Sequence, residues 1–185
     1  SQFLSMQPFN NSIKCDFSYA RFFDASPPDK FYLLAEKPPS IFIETIVWKR
    51  NPVSTSFFKF LSNFSSLREA NFDNCTINPG DEETILPAIS EFIEKTQLKK
   101  LSISSTLRVF KENALIALQN AIAHHSYLKS FNFSNNSISD RGLLVLRDIL
   151  LENQTITKLN FSGANLFDPS NFLEFLRSIS KLPTL

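Results

Sequence analysis

The chain has 185 residues, enough for one domain with a sizeable core. Its 19 basic and 18 acidic residues leave a net charge of +1, which argues against nucleic-acid or membrane-surface binding driven by bulk charge. No stretch approaches the roughly 18 consecutive apolar residues of a membrane span, and the opening "SQFLSMQPFNNS" lacks the basic and apolar runs of a signal peptide.

In chain order, residues 1–9 have the spacing of a helix tail. "SIKCDFSYARF" (12–22) then alternates polar and apolar and predicts a strand near 14–18. The prolines of "DASPPDKFYLLAEKPPS" allow at most a short helix. "IETIVWKRNPV" (43–53) predicts a strand near 45–49, and "STSFFKFLSNFSS" a compressed helix near 57–64. "LREANFDNCTI" (67–77) predicts a strand at 69–73 and leads to a helix near 81–95, where Ile85, Leu86, Ile89, Phe92 and Ile93 share one face. "LKKLSISSTLR" (98–108) gives a strand at 100–104, then a helix near 111–124 with Ala114, Leu115, Leu118, Ala121 and Ile122 inward. "LKSFNFSNNSI" (128–138) gives a strand at 130–134 and a helix near 140–152, with Gly142 letting the layers approach closely. "ITKLNFSGANL" (156–166) gives a strand at 158–162, then a helix near 170–181 with Phe172, Phe175, Leu176 and Ile179 inward.

The change of period thus recurs in units starting near 12, 43, 67, 98, 128 and 156, spaced by 24 to 31 residues. Leu185 would open another, so residues 1–185 are expected to form one array that is a piece of a longer one. No unit can bury its apolar face alone; stacking buries them all. In the best-formed strand Leu128, Phe131 and Phe133 point inward while Ser130, Asn132 and Ser134 point out. Beyond each strand the chain bends inward and needs a side chain that pairs with buried backbone groups. Asn51, Cys75, Thr106 and Asn136 hold that place; Ala20 and Ala164 cannot serve it.

The shared pattern, a loosened L-x-x-L-x-L-x-x-N-x-L, resembles the leucine-rich repeat family in its longer, ribonuclease-inhibitor-like form. The resemblance implies an α/β, right-handed solenoid in a horseshoe arc, with a parallel sheet on the concave face and helices on the convex face. It also implies a non-enzymatic protein–protein interaction scaffold. The low cysteine count is more similar to the tropomodulin and CARMIL actin regulators than to ribonuclease inhibitors. Regulation of a small GTPase, as by Ran activators of this architecture, is the alternative, with Arg50, Arg108 and Arg141 as candidate arginines.

The outward strand positions form three lanes across the sheet. The first reads Lys14, Thr45, Glu69, Lys100, Ser130, Lys158, and the second Asp16, Val47, Asn71, Ser102, Asn132, Asn160. The third reads Ser18, Lys49, Asp73, Ser104, Ser134, Ser162. Charge concentrates toward the N-terminus, which makes Tyr19, Lys49, Arg50, Glu69 and Asp73 the expected protein-binding patch.

No catalytic motif, phosphate loop or metal-ligand cluster appears, so no cofactor, metal, small-molecule substrate, nucleic acid or membrane is expected as a partner. Adjacent His124 and His125 near a helix end read as a favourable charge interaction with that end. Trp48 reads as core. Cys15 and Cys75 sit two units apart and are expected as free thiols, which fits a reducing, cytoplasmic setting. Sequons at Asn10, Asn63, Asn74, Asn132, Asn135, Asn153 and Asn160 leave secretion as the other reading.

Overall fold

The computed structural model describes residues 12–18, 42–164 and 168–182. Tyr19, Ala20, Phe22, the proline-rich stretch at 24–40 and Leu185 lie outside them. The described elements run β1 (Ser12–Asp16), β2 (Phe42–Val47), β3 (Pro52–Val53), α1 (Thr55–Leu61), β4 (Glu69–Asn71), β5 (Thr76–Ile77), α2 (Ile85–Lys95) and β6 (Lys100–Ser102). A 3-10 turn at Arg108–Phe110 precedes α3 (Glu112–Ala123), and β7 (Ser130–Asn132), α4 (Asp140–Glu152), β8 (Lys158–Asn160) and α5 (Pro169–Ile179) follow.

Strands β1, β2, β4, β6, β7 and β8 form one parallel sheet in sequence order. The register sets Lys14, Thr45, Glu69, Lys100, Ser130 and Lys158 side by side, and likewise Asp16, Val47, Asn71, Ser102, Asn132 and Asn160. These are the first two lanes that the spacing predicts. The first two strands start earlier than expected, and the shift between Ile13 and Lys14 leaves Glu44 as an extra residue in β2. A second parallel pair, β3 with β5, lies beyond the turns and has no counterpart in the sequence expectations.

The strands are short because the backbone turns left-handed three residues past the end of each of β2, β4, β6, β7 and β8. Arg50, Asn74, Ser105, Asn135 and Gly163 have φ of 61°, 57°, 58°, 58° and 74°. Inter-unit pairing continues through that bend. Arg50 N–H donates to Asp73 O (3.0 Å), Asn74 to Ser104 O (2.8 Å), Ser105 to Ser134 O (3.0 Å) and Asn135 to Ser162 O (2.8 Å). Four of the five positions bear a side chain at a strain cost of about 1–2 kcal/mol each; only Gly163 avoids it. A Cβ built on Gly163 would also run into the Asn135 side chain. Gly163→Ala should therefore lower stability by about 1 kcal/mol in denaturant melts.

Each helix packs on the next in chain order, and helix faces and inward strand residues share one core. Ile46, Ala70, Leu101 and Phe131 face it from the sheet. Phenylalanine dominates its N-terminal half: Phe58 lies 5.1 Å from Phe72 and 5.7 Å from Phe92, with both pairs inclined rather than stacked. Trp48 extends the cluster to Phe57 (4.6 Å) and Phe17 (5.0 Å), and its Nε1–H donates to Pro52 O (2.8 Å). Helix starts are capped from the sequence: Ser54 accepts from Phe57 N–H, Ser139 from Gly142 N–H and Asp168 from Ser170 N–H. In α5 the expected inward set is corrected. Phe175 is buried, but Leu176 is exposed, as is Leu173. Among the described residues no further helix flanks α5 on its outer side, so only one edge of its apolar face is covered.

Candidate protein-binding face

The lanes on the sheet face turned away from the described helices are not equally available. In the second lane, the residue types recurring as Asn or Asp serve the chain's own turns. Asp16, Asn71, Asn132 and Asn160 each accept, through a side-chain oxygen, the N–H two residues on, at 3.0, 3.0, 3.1 and 3.0 Å. Asn132 also donates from Nδ2 to Ser102 Oγ (2.8 Å) and is half-buried. It is therefore not the freely solvated side chain that period-2 alternation predicts. The third lane needs the same correction. Ser104 and Ser134 are buried, and Ser134 Oγ donates to Ser104 Oγ (2.8 Å), because the bend after these two strands draws them off the surface, while Ser162 in the same lane stays exposed.

The expected patch is also partly self-satisfied. Lys100 Nζ donates to Glu69 Oε1 at 2.6 Å. Asp73 Oδ1 accepts from Ser102 Oγ (2.5 Å) and Ser104 N–H (2.9 Å), while its Oδ2 lies 3.9 Å from Lys49 Nζ. Asp73 thus holds the turn of the next unit before it can serve a partner. Arg50 is exposed. Tyr19 lies outside the described residues, so four of the five patch residues are placed.

Under this face, in the four units starting near 43, 67, 98 and 128, one inward side chain at the turn reaches back to the unit before. Asn51 Nδ2 donates to Phe17 O (3.0 Å), and Cys75 Sγ to Trp48 O (3.3 Å). Thr106 Oγ1 donates to Phe72 O and accepts from Cys75 N–H (3.1 Å). Asn136 Nδ2 donates to Ile103 O (2.8 Å) and Phe133 O (3.1 Å), and its Oδ1 accepts from Leu107 N–H (2.8 Å). Asn satisfies both kinds of group, Thr does so with one oxygen, and Cys supplies a weak donor. Burial pushes the Cys75 thiol up to about 12 and raises Cys15 as well. Both thiols are free and buried.

A matching ladder sits where each helix returns to the sheet. Asn153 Oδ1 accepts from Thr155 N–H (2.8 Å) and Ile156 N–H (2.9 Å), and its Nδ2 donates to Ile122 O (2.7 Å) and His125 O (3.1 Å). One unit earlier His125 occupies the same place. Its Nδ1 accepts from Tyr127 N–H (3.3 Å) and Leu128 N–H (3.1 Å), so its Nε2 carries the proton given to Thr96 O (3.1 Å). His125 is therefore a neutral, buried group rather than a charge at a helix end. His124, by contrast, is the exposed C-cap, with Nδ1 3.0 Å from Asn120 O and Nε2 3.9 Å from Glu152 Oε2.

Burial holds His125's pKa below its ordinary value, against weaker opposition from the Thr96 and Ile93 backbone. The unfolded chain then binds the proton more readily. Stability is full above the unfolded value of about 6.5 and falls as the pH drops through it. Glu94 and His124 border the same small cleft and are present in both variants compared. The denaturant midpoint of the native chain should fall more between pH 7.5 and pH 5 than that of His125→Asn, which keeps donor and acceptor without titrating.

Among the described residues no cluster of three or more His, Cys, Asp or Glu could hold a metal, and no helix is long and apolar enough to cross a membrane. What the face offers chemically is an array of hydrogen-bonding and charged groups on rigid rungs.

No family model matches the sequence, and no curated protein matches it. Solved structures do. A leiomodin-1 structure described as its actin-binding site 2 is 21% identical with a TM-score of 0.59, over 69% of this chain and 73% of that one. The tropomodulin C-terminal domain of Caenorhabditis elegans is 13% identical with a TM-score of 0.52, over the same shares. At these identities the likeness is one of fold: a mixed α/β chain with a parallel sheet, of leucine-rich-repeat type.

Proposed function

We propose that the chain is a non-enzymatic protein-binding scaffold of cytoplasmic proteins. In this reading its six units, starting near 12, 43, 67, 98, 128 and 156, form one right-handed, curved solenoid within a longer array, of the ribonuclease-inhibitor-like subtype. The observation that carries the reading is the six-rung register of the sheet. It lines up outward side chains at about 4.8 Å intervals on the face turned away from the described helices. Such repetition gives an extended surface for a macromolecule. The patch at Lys49, Arg50, Glu69 and Asp73, with Tyr19, is one contact region on it.

Leiomodin-1's matching structure is described as an actin-binding site, so actin is the first partner to test. Co-sedimentation with filaments and pull-down of monomeric actin should retain the chain, with weaker retention for Lys49→Glu/Arg50→Glu. No retention of either form would remove actin as partner. A small-GTPase assay discriminates the alternative: accelerated GTP hydrolysis, lost with Arg50→Ala, Arg108→Ala or Arg141→Ala, would favour a regulator over a passive scaffold.

A further inference from the structure

The strand entrances carry a charge pattern that the near-neutral composition conceals. The residue just before each strand pairs through its backbone with its counterpart in the next unit. Lys99 N–H donates to Arg68 O (2.6 Å), Lys129 N–H to Lys99 O (2.9 Å) and Thr157 N–H to Lys129 O (2.9 Å). Arg68, Lys99 and Lys129 therefore stand on consecutive rungs. Beside them the first lane adds Lys14, Lys100 and Lys158. Against these six cations the same rim has two carboxylates, Glu44 and Glu69, a local balance of 6 − 2 = +4 in a chain whose total is +1.

Two of the cations have internal partners: Lys100 with Glu69, and Arg68 with Ser65 O (2.8 Å) and Leu67 O (3.3 Å). Lys99, Lys129 and Lys158 are exposed, and among the described residues no carboxylate lies within ion-pair distance of them. Like charges on neighbouring rungs repel. Tyr127, half exposed, stands two residues before Lys129 at the edge of a cleft of about 330 Å³ lined also by Asn120, His125, Ser126 and one carboxylate, Glu94. An exposed aromatic beside unpaired cations is the composition of an interface anchor.

Resting on the scaffold reading above, we propose that this rim binds an extended acidic segment of a partner protein, with Tyr127 packing against an apolar residue of that segment. The geometry favours a polypeptide. Six rungs span five steps of about 4.8 Å, roughly 24 Å, which about seven extended residues cover. The cations form a line one or two side chains wide, whereas a membrane surface needs a broad basic face. A nucleic-acid strand would need a series of stacking platforms, and Tyr127 is a single one.

The test uses a fluorescein-labelled decapeptide of glutamates with one central leucine, read by anisotropy at low and moderate salt. The native chain should bind it with a salt-dependent affinity. K99E/K129E/K158E should weaken binding at least tenfold, while K111E/R177E/K181E, reversing three exposed cations elsewhere, should change it less than twofold. Tyr127→Ala should weaken binding of this peptide but not of its leucine-free version. Circular dichroism melts check folding, and K99Q/K129Q/K158Q replaces the reversed set if that set is unfolded. Equal losses in the rim and control sets, no binding by the native chain, or tighter binding of a ten-nucleotide oligomer or of phosphatidylserine vesicles would each overturn the assignment. Actin binding retained in K99E/K129E/K158E alongside lost peptide binding separates the two surfaces. Unchanged peptide binding in that variant sinks the rim while leaving the scaffold reading intact.

Discussion

Phe72→Ala is expected to cost about 3–5 kcal/mol of folding stability, as truncations of fully buried aromatic residues do. Phe72 has no exposed surface, and its ring touches three others: Phe58 at 5.1 Å, Phe92 at 5.9 Å and Phe57 at 6.2 Å. These neighbours come from α1 and α2, on either side of the second turn-and-return in the described chain. Removing the ring leaves a cavity that the rigid rungs of β4 cannot close, because the backbone on both sides is fixed by ladder bonds to β2 and β6. It also removes dispersion contacts from every ring around it. Phe72→Leu keeps most of the volume and should cost under about 1.5 kcal/mol. Denaturant midpoints at unchanged slope read both. Equal costs would mean that the cavity collapses and the ring cluster is not rigid.

Asn136→Ala should cost about 1–3 kcal/mol through a different cause. Its side chain is 1% exposed and makes three bonds to backbone groups, of which the Ile103 carbonyl and the Leu107 N–H belong to the preceding unit. Truncation leaves these groups buried without that partner. By alternation alone Asn132→Ala, four residues away, would cost within about 0.5 kcal/mol, as surface changes usually do. The structure raises that to about 1 kcal/mol, since Asn132 holds Ser134 N–H and Ser102 Oγ while remaining half-buried. The order of the two should still hold. A costlier Asn132→Ala would reverse the inward and outward assignment of this turn.

Hydrophobic periodicity made most of the framework legible. Strand centres came from period two, helices from apolar residues three and four apart, and the lane register from the constant place of each strand within its unit. Several misses share a cause: polar side chains that bond to nearby backbone leave no trace in hydrophobic spacing. Ser104, Ser134 and Asn132 looked outward by alternation, yet the left-handed residue after each strand turns them into the chain's own bonding. The recurring Asn-x-Ser string was the available signal, since an Asx-type cap uses that spacing. His124 and His125 look equivalent in sequence, but α3 ends at Ala123, so His125 follows the return path inward. The two-residue pair β3 with β5 is too short to carry a period. The basic rim was obscured for another reason: its residues are scattered at unit-length intervals and become a row only when the rungs pair.

The account rests on the four units from 43 to 128 each being tied to the one before by the inward side chain at its turn. Amide hydrogen exchange, resolved by residue in the native chain and in Asn136→Ala, tests it most directly. The Leu107 N–H bonds to Asn136 Oδ1 and the Cys75 N–H to Thr106 Oγ1, while Leu101 in β6 reports the stability loss common to the fold. The expected result is that Leu107 loses more protection than Leu101, while Cys75 loses no more than Leu101. Equal losses at Leu107 and Cys75, or no loss at Leu107 beyond that of Leu101, would contradict the ladder.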